Sequence, residues 1–252
     1  MRRIRVIPVL LISKGGLVKT AQFKNPKYVG DPINAVKIFN DKEVDELVVI
    51  DIDATAEGRT PNFTIIKEIV SEAFMPISYG GGISNLDQVK TLLQNGVEKV
   101  ILNHSAVCSP NLITEIASNF GAQSVVVSID YKKNIWGKSK VYTKNGKDNT
   151  GFDPLEFAQK CEDAGAGEII LQSIDREGTY KGYDLEMIQT VSSSIGIPVV
   201  ACGGASSIQD FRSAVDHGAS AVAAGSMFVF HGALKGILIN YPNQSELKDL
   251  FI

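Results

Sequence analysis

Short apolar runs rich in β-branched residues recur along the chain. They fall at 5–11 (RVIPVLL), 46–51 (ELVVID), 75–79 (MPISY), 99–103 (KVILN), 124–130 (SVVVSID), 168–173 (EIILQS), 197–202 (IPVVAC) and 221–225 (AVAAG). Amphipathic stretches fill the gaps, so strands and helices alternate. Asp31-Pro32, Ser109-Pro110 and Asp153-Pro154 each set a capping oxygen before a proline at the first helical position. Ser84 with Asp87, and Ser207 with Asp210, have the spacing of a capping box. Gly96, Gly121, Gly165 and Gly218 follow the helical stretches, where a left-handed terminating residue belongs. Eight alternations predict an α/β fold, a single parallel (β/α)8 barrel over residues 1–252.

The pattern also repeats itself. DATAEG…MPISYGGGISNLDQVKTLLQNGVEKVIL (53–102) resembles DREG…IPVVACGGASSIQDFRSAVDHGASAVAA (175–224) at an offset of 122 residues. Asp53 aligns with Asp175, Pro76 with Pro198, and Gly81-Gly82 with Gly203-Gly204. Two similar half-barrels, about 1–122 and 123–252, are therefore expected. Two segments lack the barrel rhythm. Residues 12–30 form a long loop after the first strand, the kind that serves as a mobile lid. Residues 131–152 carry Asn145-Gly146 between alternating runs and predict a small hairpin.

Composition narrows the function. The 252 residues carry a net charge of −3 and 44% apolar residues, an ordinary globular balance. That balance points to neither a nucleic-acid nor a membrane partner. Cys108, Cys161 and Cys202, an odd number without ligand spacing, argue against a disulfide framework or a zinc site. A reducing cytoplasm fits, with no metal and no cofactor expected. The basic start MRRIRVIPVLLIS has too short an apolar run for a signal peptide and reads as a strand.

In such a barrel chemistry sits where strands end and βα loops begin. YGGGIS (79–84), CGGASS (202–207) and AAGSM (223–227) each place glycine between a strand and a helix start, where free amides favour an anion. Gly204, Ala205, Gly225 and Ser226 are expected to form one phosphate cradle, and Gly82 with Asn103 its counterpart. A phosphorylated small molecule at the C-terminal face follows; the plainer reading is that the glycines only make tight turns. Asp130 ends the fifth strand and is a candidate general acid or base, or else a cap on the next loop. Its repeat mate at the end of the first strand is Leu11, which cannot move a proton.

FNDKEVDELVVIDIDAT, YGGGISNLDQVKTLLQNGVEKVILN, GAQSVVVSID, DAGAGEIILQSIDREGTYKGYD and IPVVACGGA resemble the cyclase subunit of imidazole glycerol phosphate synthase over nearly the whole chain. The resemblance implies a subunit that takes ammonia from a glutaminase and closes an imidazole ring on a bis-phosphorylated substrate. It implies catalytic aspartates ending strands 1 and 5: Asp130 matches the second, and Leu11 replaces the first. It also implies a salt-bridged ammonia gate at the bottom of the barrel, which Arg5, Glu46, Lys99 and Glu168 match. Without the resemblance these four read as solvated strand starts. Glu98 then becomes a candidate docking contact for the glutaminase. A preserved entrance beside an altered catalytic end points to a conduit subunit. Its ammonia would go to a third protein, an amidotransferase, as in bacterial surface-sugar pathways. A histidine-pathway cyclase using Asp51, Asp53 or Asp175 instead, and a non-catalytic scaffold, are the alternatives.

Overall fold

A computed structural model describes residues 4–232, 234 and 236–251. All eight expected strands form: β1 (Arg5–Ser13), β2 (Leu47–Asp51), β3 (Ile77–Gly80), β4 (Lys99–Leu102), β5 (Val125–Lys133), β6 (Glu168–Ser173), β7 (Val199–Cys202) and β8 (Ala221–Ala224). Each pairs in parallel with its neighbours, and β8 pairs with β1, which closes the barrel. The helices α1 (Pro32–Asp41), α2 (Phe63–Glu72), α3 (Leu86–Gln94), α4 (Asn111–Phe120), α5 (Pro154–Asp163), α6 (Leu185–Ser192), α7 (Ile208–Asp216) and α8 (Gln244–Phe251) follow the strands in turn.

Strand alternation divides the apolar residues into two cores. Val6, Leu10, Leu47, Val100 and Val127 face outward and pack with helix residues such as Phe39, Ile69 and Ile113. Ile7, Val48, Ile101, Val126, Ile170 and Val200 fill the barrel interior, with Val9 and Ile50 against them. The interior between the two mouths is therefore apolar.

The expected caps are largely in place. Asp31 accepts from Asn34 N at 2.8 Å and Asp153 from Leu155 N at 2.9 Å, each with its proline in the first turn. Ser207 and Asp210 form the reciprocal box. Two starts shift by a residue. Asn85, not Ser84, caps α3, accepting from Gln88 N at 3.0 Å. Pro110 itself is the cap position of α4. Gly96, Gly121, Gly165 and Gly218 all terminate helices at positive φ.

The segment 12–30 is not an irregular loop. β1 runs on to Ser13, then Gly16–Ala21 folds back antiparallel on it and pairs with Lys24–Gly30. GLVKTA is only six residues long and pairs its apolar and polar residues two by two, so no strand period is legible there. In 131–152, Ser139–Thr143 pairs with the extension of β5, and a turn through Asn145-Gly146 leads to Asp148–Asn149. The expected hairpin is present, preceded by a second turn at Asn134–Lys138.

Candidate functional site

The C-terminal mouth holds a cavity of about 330 Å³, lined by Leu11, Lys19, Asn103, Asp130, Glu177 and Gly225 among others. β1 and β5 deliver Leu11 and Asp130 to it, so the two repeat-related positions do share one chamber. Ser128 donates its hydroxyl to Asp130 at 2.8 Å. Burial pushes the Asp130 carboxyl up to about 7, against the effect of that hydrogen bond. An acid tuned to neutrality can give or take a proton at working pH. Leu11 adds only apolar surface.

Lys19 is the residue that sequence reasoning missed. It lies on the 16–21 strand, is 2% exposed, and donates to the Val9 carbonyl. Burial lowers its ammonium to about 8, opposed by nearby Glu177. Burial raises the Glu177 carboxyl, opposed by Lys19 and by Gln172, which donates at 3.2 Å. Gly225 makes this possible: a Cβ there would stand 2.9 Å from the Lys19 amine. A lysine in a short segment without apolar periodicity reads as solvent-facing. Only the fold of the hairpin over the mouth turns it inward.

The four residues expected to form the first phosphate cradle lie at the adjacent ends of β7 and β8. Gly204 has φ +108°, and its carbonyl accepts from Gly182 N at 2.8 Å. Asp210 accepts from the N–H groups of Ser206 and Ser207 at 2.8 and 3.0 Å, which fixes the turn after Ala205. Gly225 and Ser226 stand at the start of a short helix, Ser226–Val229, beside it. The second cradle differs. Gly82 N donates to Thr55 Oγ1 at 3.1 Å, and the Asn103 side-chain amide donates to the Ser128 carbonyl at 3.0 Å. Both donors intended for an anion are already engaged with protein.

The other acidic candidates are engaged by backbone and side-chain donors of the protein. Asp51 accepts from Asp53 N and Ala54 N, both at 3.0 Å, and pairs with Arg59 at 3.3 Å. Asp53 accepts from Ser13 Oγ at 2.7 Å, and Asp175 from Lys133 N at 2.8 Å. Among the described residues no group of three His, Cys, Asp or Glu is placed to hold a metal.

At the opposite mouth the four charged strand starts converge. Arg5 pairs with both Glu46 and Glu168, and Lys99 reaches the same two at 3.0 and 3.1 Å. The ring alternates in sign and closes the bottom of the apolar interior. Ser78 adds a bond to Glu46 at 2.7 Å. Burial would raise the Glu46 carboxyl, but Lys99, Ser78 and Arg5 outweigh it and hold it below its ordinary value. Glu98, next to Lys99, is exposed on this face.

A closed (β/α)8 barrel with a titratable chamber above and an ion-pair ring below defines the class of the fold. Within it, the family described as histidine biosynthesis protein matches residues 5–235, and the chain belongs to that family. It is HisF-like. A Pseudomonas aeruginosa protein, provisionally named imidazole glycerol phosphate synthase subunit hisF2, is 51% identical over 98% of this chain and 99% of its own. A Leptospira interrogans protein, provisionally named imidazole glycerol phosphate synthase subunit HisF, is 47% identical over the full length of both. Imidazole glycerol phosphate synthase subunit HisF of Alkaliphilus metalliredigens is 40% identical over 90% of each chain.

Proposed function

We propose that this chain is the barrel subunit of a glutamine-dependent complex. It docks a HisH-type glutaminase at its lower mouth and conducts ammonia through the barrel to an acceptor, rather than closing an imidazole ring at the family's rate. The carrying observation is one of contrast: the ion-pair ring at the entrance is complete, while Leu11 stands where the chamber needs a second carboxylate. The apolar interior suits neutral ammonia, since a charged ion would lose its hydration there. The acceptor belongs to an amidotransferase pathway such as amidino-sugar synthesis for lipopolysaccharide, working in the cytoplasm.

The test is cyclase turnover with ammonium salt, which bypasses the glutaminase. A positioned acid or base contributes about 100- to 10,000-fold. The native chain should fall short of an ordinary family member by a factor in that range, and Leu11→Asp should recover part of it. Native turnover equal to that of an ordinary member would overturn the reading.

One observation favours a second reading, the histidine-pathway cyclase. Asp130 near 7 and Lys19 near 8 both sit in the chamber, so proton-transfer groups remain. The same assay decides, because a cyclase using Lys19 would lose its turnover in Lys19→Met.

A further inference from the structure

The exposed apolar residues are not spread evenly over the barrel. Among the described residues, Tyr28 on the 24–30 strand, Ile135 and Trp136 in the 134–138 turn, and Leu234, Ile237 and Leu238 all belong to segments that follow the C-terminal end of a barrel strand, against Ile38 and Phe74 elsewhere. The most exposed neighbouring pair is Ile135 and Trp136, at 92% and 80%. They occupy the tip of the hairpin that begins at Asp130. This tip is built rather than loose. Asn134 N donates to the Lys138 carbonyl at 2.8 Å and Gly137 N to the Asn134 carbonyl at 2.9 Å. The Asn134 side chain accepts from Trp136 N and Lys138 N at 2.9 and 3.0 Å. These four bonds shape the turn, and it presents two large apolar side chains to water.

The charge around them is one-sided. Residues 131–147 contain six lysines and no Asp or Glu, while Asp148 pairs with Lys144 at 2.9 Å and Asp175 accepts from Lys133 N at 2.8 Å at the base of the hairpin. Lys133, Lys138 and Lys147 are exposed. The same hairpin walls the chamber through Lys144, Asn145 and Lys147, and Asn145 donates to the Ile52 carbonyl at 2.7 Å. The finger is therefore anchored to the rim of the mouth from which a conducted molecule emerges.

We infer that this finger docks the protein that consumes the ammonia, through an apolar slot rimmed by carboxylates. The inference rests on the conduit reading above. Ammonia released into water at neutral pH is protonated and no longer a nucleophile, so an acceptor protein has to cover the upper mouth. Trp136 supplies the large, rigid anchor typical of binding hot spots. The lysines supply charge complementarity that speeds encounter and fixes orientation.

The test reconstitutes this chain with a HisH-type glutaminase and a sugar amidotransferase. Two rates are compared: product formed from glutamine and product formed from ammonium salt. Trp136→Ser with Ile135→Ser should weaken the ternary complex about thirtyfold. It should depress the glutamine-driven rate in proportion, while glutaminase binding and the ammonium-driven rate hold. Lys133→Glu with Lys138→Glu should slow association and flatten its salt dependence. Trp136 is the only tryptophan, so a blue shift of its emission on adding the amidotransferase reports burial directly. Native glutamine-driven transfer that survives both double variants, with no emission shift, overturns the docking site and leaves the conduit reading standing. Failure of the native complex to drive any transfer overturns the conduit reading itself. An emission shift with anionic phospholipid vesicles but not with the amidotransferase overturns the inference in favour of a membrane contact.

Discussion

A single position decides whether the upper chamber holds two proton-transfer groups of the expected kind or one. Leu11 leaves Asp130 without its carboxylate mate, and the fold brings in Lys19 instead. Burial of both has a consequence for stability. The Asp130 pKa is raised in the folded state from 3.8 to about 7, so the folded state holds the extra proton across that window. Its contribution is favourable at low pH and is lost as pH rises from about 4 to about 7. Lys19 has the opposite bearing. Its pKa falls from 10.5 to about 8, so below about 8 the folded state carries a buried ammonium, and this penalty is relieved as pH rises from about 8 to 10.5. Melting curves should show Asp130→Asn removing a stability loss between pH 4 and 7, and Lys19→Met raising the midpoint most near neutral pH. Unchanged pH profiles would contradict both buried placements.

At the scale of elements, the strand-to-helix turns shape the ends of β3 and β7, and the proposed phosphate cradle rests on the second of them. Gly81 and Gly203 occupy equivalent places in the two repeats, at φ +116° and +92°. A Cβ would meet the Asp51 carbonyl at 2.3 Å in the first and the Ser173 carbonyl at 2.6 Å in the second. Each passes hard against the end of the preceding strand, which no side chain permits. Gly81→Ala should cost about 2 kcal/mol or more, from strain and a backbone clash together. The Asp210 carboxylate ties Ser206 and Ser207 to the start of α7. Asp210→Ala should cost about 1 kcal/mol of unfolding free energy. It should also weaken inorganic phosphate binding at Gly204 and Ala205, read by titration calorimetry. Phosphate binding unaffected by loss of this cap would show that the turn holds its shape alone.

Across the whole molecule, the two mouths are joined by an apolar interior and closed by charge of different design. The lower ring buries Glu46 and Glu168 to 5% and 9% side-chain exposure. Removing one cation leaves carboxylates short of a partner, which is costly in a buried pair. Lys99→Met should therefore lower the melting temperature. Glu46 is held below its ordinary 4.5 in the folded state, so its contribution is present above that value and disappears as pH falls through the lower folded value. Glu46→Gln should lose less stability between pH 7 and pH 3 than the native chain does. Glu98→Lys, on the exposed rim, should leave the barrel's own stability within about 0.5 kcal/mol while weakening association with the glutaminase in low salt. Equal affinity for native and Glu98→Lys chains would remove Glu98 from the docking face.

The chain alone determined the barrel, because eight β-branched runs and their caps are local signals, read within a few residues of each other. The glycines at the strand ends and Asp130 were legible as candidates for the same reason: each is a residue type at a strand end. The Arg5, Glu46, Lys99 and Glu168 ring was legible only through family resemblance, since a charge at a strand start is usually solvated. Tertiary structure alone decided the rest. It turned Lys19 into the chamber by folding 16–30 back over β1. It engaged Gly82 with Thr55 and Asn103 with the Ser128 carbonyl, and it left Ile135 and Trp136 in water. Each of these depends on which distant segment packs against a residue, and periodicity along a chain carries no record of that.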